Sequence, residues 1–149
     1  MTLRFFNGIQ IDVPEGWADI STVIVAPRED IGDGKKPKIN LVVKRRPAKT
    51  KDVTETIKEY LAFMKSTLGE LHDVETKEMK AGSVKATAVR FTSEANGRRF
   101  KQITLLYVAG GDEISATVTQ LDGDPTPMKT IEKLLASIRP AAAGAAGLK

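Results

Sequence analysis

The sequence predicts an α+β domain: an antiparallel β-sheet packed with helices. Three observations predict it. Runs of β-branched and aromatic residues are separated by short turn dipeptides of hairpin type, two segments carry apolar residues at helical spacing, and the 149 residues suffice for one core but give no sign of a second.

Taken in order, Leu3 to Phe6 and Ile9 to Val13 flank Asn7-Gly8, a dipeptide that tolerates the positive φ angles of a tight turn, so a hairpin opens the chain. Pro14-Glu15-Gly16-Trp17 breaks the pattern, and Ile20 to Ala26 resumes it as a strand through Val23, Ile24 and Val25. Prolines, glycines and mixed charge make Pro27 to Lys38 an exposed loop. Ile39 to Lys44 is apolar nearly throughout, which predicts a central strand covered on both faces.

From Lys51 to Leu68 the period changes. Val53, Ile57, Tyr60, Leu61, Met64 and Leu68 recur at intervals of three and four, on one face of a helix that Asp52 or Thr50 can cap and Gly69 can end. Val74 to Met79, Ser83 to Thr92, Arg98 to Ala109 and Glu113 to Leu121 then read as a four-stranded meander, punctuated by Ala81-Gly82, Asn96-Gly97 and Gly110-Gly111-Asp112. A second helix is expected to open at Asp124-Pro125 and to carry Met128, Ile131, Leu134, Leu135 and Ile138 on one stripe. Pro140 stops it. One domain over residues 1–140 is expected, with 141–149 a disordered Ala/Gly-rich tail that has nothing to bury.

Composition narrows the chemistry. With no cysteine there is no disulfide framework, no thiolate nucleophile and no sulfur-ligated metal. The first residues show no basic head followed by an apolar run, and no apolar run is long enough to cross a bilayer, so a cytoplasmic protein not inserted in a membrane is expected. A formal charge of +4 invites a nucleic-acid reading. Much of the excess falls at Lys35, Lys36, Lys38, Lys44, Arg45, Arg46, Lys49 and Lys51, with no interleaved stacking aromatics, so a solvated loop and strand edge are expected and a nucleic-acid partner is not.

A search for catalytic groups finds none. His72 stands alone among Glu70, Asp73 and Glu75 and reads as a surface residue; the serines lie in no Gly-x-Ser-x-Gly elbow; the glycines form neither a phosphate loop nor a dinucleotide fingerprint. Asp19, Asp30, Asp33, Asp122 and Asp124 are scattered as turn and capping residues are, not as a calcium loop. The expectation is a non-enzyme that needs no metal and no cofactor. Two residues suit binding instead. Trp17 is expected to plug the end of the sheet, with ligand contact as the alternative. Gln102 interrupts the apolar run Phe100, Ile103, Leu105 and Val108; it either faces water or satisfies a polar group of a bound peptide or helix.

The order of elements, with Pro14-x-x-Trp17-x-Asp19, a strand at Ser21 to Val25, the run Ile39-Asn40-Leu41-Val42-Val43-Lys44-Arg45, a helix, and Gly97-Arg98-Arg99-x-x-x-Gln102, resembles the DUF1795 or DcrB-like family from Thr2 to Pro140. That resemblance implies a Mog1/PsbP-like α/β/α sandwich. Within the family, the members without a secretion signal include the Eag chaperones of type VI secretion, which hold the N-terminal transmembrane helices of an effector before export. The resemblance further implies a homodimer with a shared groove, and a client surface in which Thr22, Ile24 and Val42 line the groove, Leu61 and Met64 flank it, and Gln102 bonds to small polar spots of the client helix. The other reading of the same resemblance is a cytoplasmic Mog1/DcrB-like module with a soluble protein partner.

Overall fold

A computed structural model describes residues 2–4, 10–17, 20–30 and 37–140. In chain order they form β1 (Thr2–Arg4), β2 (Gln10–Asp12), β3 (Thr22–Val25), a 3-10 turn at Arg28–Asp30, β4 (Ile39–Pro47), α1 (Val53–Leu68), β5 (His72–Ala81), β6 (Val84–Ala95), β7 (Arg98–Ala109), β8 (Asp112–Leu121) and α2 (Met128–Ala136). β1 and β2 pair as a separate two-stranded sheet. Their connecting Asn7-Gly8, most of the basic loop and the residues after Pro140 lie outside the described residues.

The main sheet has six strands in the order β3-β4-β8-β7-β6-β5, and every pairing is antiparallel. This is the α+β architecture expected from the sequence, with a helix on each face. The meander β5 to β8 follows from its turns: Asn96 and Gly97 have φ of 53° and 76°, the doubly positive geometry of the tightest hairpin, which an amide side chain and a glycine tolerate best.

Strand alternation sorts the sheet into two faces. On one, Ile39, Leu41, Ala86, Ala88, Ile103, Leu105, Tyr107, Ala116 and Val118 form the principal core, closed by Ile131 and Leu135 of α2. On the other, Val89, Phe91 and Ser93 of β6 and Thr104 and Leu106 of β7 are buried, and α1 packs over these two strands.

The ends of the helices follow local chemistry. Asp52 caps α1 by accepting from the Thr54 backbone N–H at 2.9 Å, Thr50 Oγ1 in turn accepts from Asp52 N at 3.1 Å, and Gly69 ends the helix at φ 84°. α2 begins later than its aspartate suggested. Pro127 is its N-cap residue, and Asp124 instead closes the preceding turn, accepting from Thr126 N at 3.1 Å and from Gln120 Nε2 at 2.9 Å. Partial burial pushes the Asp124 carboxyl up, but the Gln120 and Thr126 hydrogen bonds and the charge of Lys38 outweigh it and leave the pKa below the ordinary value.

Two further expectations change. β4 is not covered on both faces: Ile39 and Leu41 are buried in the principal core, whereas Val42 on the opposite face is only half-buried. Trp17 does not plug the sheet. Its backbone N–H closes a turn on the Pro14 carbonyl at 3.2 Å, and its side chain is 72% exposed.

Candidate functional site

α1 covers only part of its sheet face, and the uncovered part is the candidate site. The pairing register lays out its floor as cross-strand rows. Asn40 of β4, Thr119 of β8 and Gln102 of β7 form one; Val42, Thr117 and Thr104 the next; Lys44, Ser115 and Leu106 the third; Arg46, Glu113 and Val108 the last. β3 extends two of these rows outward, setting Ile24 beside Val42 and Thr22 beside Lys44. Along one side runs α1, contributing Glu59, Tyr60, Phe63 and Met64. The groove between helix and floor has a volume of ≈ 590 Å³.

The wall is tied to the floor by hydroxyls. Tyr60 Oη meets Thr104 Oγ1 at 2.8 Å, and Thr104 Oγ1 meets Thr117 Oγ1 at 2.8 Å, a chain that crosses from α1 through β7 to β8. Burial raises the Tyr60 pKa and its Thr104 hydrogen bond opposes this only in part, so the ring stays neutral and available to the chain. At one end of the floor Arg46 donates from Nε (3.1 Å) and Nη2 (2.8 Å) to Glu113 Oε1, which neutralises a carboxylate that is itself buried. Lys44 and Lys49 line the same end and form no ion pair among the described residues.

At the other end the lining is uncharged. Gln102 Nε2 donates to Thr119 Oγ1 at 3.0 Å, while Gln102 Oε1 and Asn40 Oδ1, in the same row, are buried without a hydrogen-bond partner among the described residues. Unmet acceptors of this kind cost about 1–3 kcal/mol each, which marks the row as incomplete in the isolated chain.

Of the residues singled out from sequence, Val42, Met64 and Gln102 line this groove, and Thr22 and Ile24 stand on the same face at its outer edge. Leu61 is half-buried on α1 and does not line the groove: it lies one residue, about 100°, around the helix from Tyr60. Sequence reasoning missed Asn40, Tyr60, Ser115, Thr117 and Thr119 as partners in the site. The spacing of Ser115, Thr117 and Thr119 at every second residue already marked one polar face of β8, but only the register shows that it meets Gln102. Among the described residues no group of three or more His, Asp or Glu side chains could hold a metal ion, and no helix is long and apolar enough to cross a membrane.

The chain matches no protein-family model and no curated protein. Among solved structures it is similar to PA94 of Pseudomonas aeruginosa, a protein of unknown function described as a candidate regulator. The TM-score is 0.74 at 14% identity, over 95% of this chain and 97% of PA94. LpqN of Mycobacterium tuberculosis, involved in cell envelope biogenesis, aligns over 91% of this chain and 85% of its own at 15% identity, with a TM-score of 0.38. The first likeness fixes the fold alone, a six-stranded antiparallel sheet with two helices as in PA94; identities this low say nothing further of the site.

Proposed function

We propose that the chain is a cytoplasmic protein-binding module of the DcrB-like family that acts as an Eag-type chaperone or adaptor, holding N-terminal transmembrane helices of a type VI secretion effector before export. The observation that carries the reading is the uncovered half of the α1 face, where Ile24 is 67% exposed beside Val42 and a groove floored by small hydroxyl residues. Apolar surface of this kind is stable in water only at a cost, and an apolar helix is a natural cover for it. Small polar residues on the floor suit such a guest, because helices in membranes also pack through Ser, Thr and Gly and hydrogen-bond across the contact.

Size supports a second copy of the chain. From Asn40 to Arg46 the floor runs about 20 Å, whereas a membrane-spanning helix of about 20 residues is about 30 Å long. One groove therefore covers roughly two thirds of such a helix, and a homodimer whose second groove continues the floor past one end of β4 covers the rest. A second reading, a module for a soluble protein partner, is favoured by the same hydroxyl-rich floor and by Lys44, Arg46 and Lys49 at its end.

Co-expression with an effector carrying paired N-terminal apolar segments tests the choice. The wild-type chain is expected to keep that effector soluble and to co-purify with it. Ile24→Asp places a charge against an apolar guest at a cost of about 3 kcal/mol or more and is expected to abolish capture while circular dichroism and melting stay unchanged. Undiminished capture by a folded Ile24→Asp chain overturns the groove assignment. A wild-type chain that captures soluble partners but no apolar segment leaves the second reading in its place.

A further inference from the structure

We infer that the groove is directional: it takes an apolar helix that runs with its N-terminal end toward the Asn40–Thr119–Gln102 row and its C-terminal end, or an acidic residue just beyond it, toward Lys44 and Lys49. The inference rests on the proposed capture of an apolar helix and adds the polarity and flanking charge of that helix.

Three features agree on the direction. Lys44 and Lys49, which form no ion pair among the described residues, lie at one end of the groove, where the last carbonyls of a helix and the negative end of its dipole find a complement. The unmet acceptors, Asn40 Oδ1 and Gln102 Oε1, lie at the other. An amide that rotates to present its oxygen to a guest would meet backbone N–H groups only at the first turn of a continuous apolar helix.

The third feature is α1 itself. Tyr60 stands over Thr104, and the carbonyl of Glu70, just past the helix, accepts from Ser93 Oγ at 3.0 Å; Ser93 is paired with Phe100. α1 therefore runs from the Arg46–Glu113 end of the floor toward the Gln102 end. A guest in the inferred direction lies antiparallel to α1, which sets opposite dipole ends side by side.

Charge and trapping test the direction separately from capture. The probes are synthetic Leu/Ala helices of about twenty residues, one with aspartates after its C-terminus and one with aspartates before its N-terminus. The wild-type chain is expected to bind the C-terminal form several-fold more tightly, and Lys44→Glu/Lys49→Glu is expected to reverse the order. Because the chain has no cysteine, disulfide trapping can report orientation directly. A probe whose mid-helix cysteine traps with Met64→Cys is expected to trap with Glu59→Cys once that cysteine is moved about four residues toward the probe's C-terminus, because antiparallel helices advance in opposite directions. Equal affinity for the two probes, or the opposite trapping pattern, overturns the direction while capture stands. If neither probe binds, the apolar-helix reading falls with it.

Discussion

Two halves of one sheet face meet different neighbours. Under α1 the face presents Val89, Phe91 and Ser93, all buried; two strands beyond β7 it presents Val42, and next to that Ile24, with no helix or strand of the described residues above them. The covered half is apolar with its polar atoms paired, as where Ser93 reaches the Glu70 carbonyl. The open half mixes one exposed isoleucine with threonines, lysines and two unmet amide oxygens. Stability alone does not account for that mixture, and the proposed capture of a partner rests on the difference.

The sharpest way to break the comparison is to truncate one residue on each side. Phe91→Ala removes a ring that is 1% exposed and is expected to cost about 3–5 kcal/mol, read from urea unfolding. Ile24→Ala is expected to stay within about 0.5 kcal/mol, because its side chain is already in water. Similar losses at both positions would mean that Ile24 is covered within the folded chain.

The boundary between the halves gives intermediate effects. Arg46→Ala strips the buried Glu113 of its cation and is expected to cost about 1–3 kcal/mol, a loss that Arg46→Ala/Glu113→Gln partly restores. Tyr60→Phe breaks the hydroxyl chain and is expected to cost about 1 kcal/mol. It also has a pH signature. The folded-state pKa of Tyr60 is raised, so its contribution is complete below the unfolded value near 10 and is lost as pH rises from there through the folded value. The difference in stability between wild type and Tyr60→Phe should therefore shrink above about pH 10.

The smallest effect lies away from both halves, at Asp124. Its pKa is lowered in the folded chain, so its contribution is present above the unfolded value near 3.9 and is lost as pH falls through the folded one. Acid titration of Asp124→Asn should show a shallower loss of stability over that window, by a margin that solvent screening keeps small.

The sequence made the elements legible where local chemistry decides them. The Asp52 cap, the Gly69 stop and the Asn96-Gly97 turn all stand where their residue types put them. It misplaced features that tertiary neighbours decide. Asp124 had a turn to close before any helix could use it, and Trp17 found no sheet end to fill. For the site, the family resemblance implied that Thr22, Ile24 and Val42 share a groove, and the β3–β4 register sets the three on one face. Asn40, Thr117 and Thr119 went unnoticed because nothing in a single strand shows what lies across from it.

The strand order also sets a timetable. β5, β6, β7 and β8 are neighbours in both sequence and space, so their three hairpins close short loops, whereas Arg46 and Glu113 on β4 and β8 lie 67 residues apart. Loop-closure entropy delays such a pairing until the meander offers it a template. β4, and β3 after it, are then the last strands to dock and the first to leave, and their amides should exchange hydrogen fastest among the main-sheet strands. The open half of the α1 face is thus assembled at the end of folding, after the half that the helix covers.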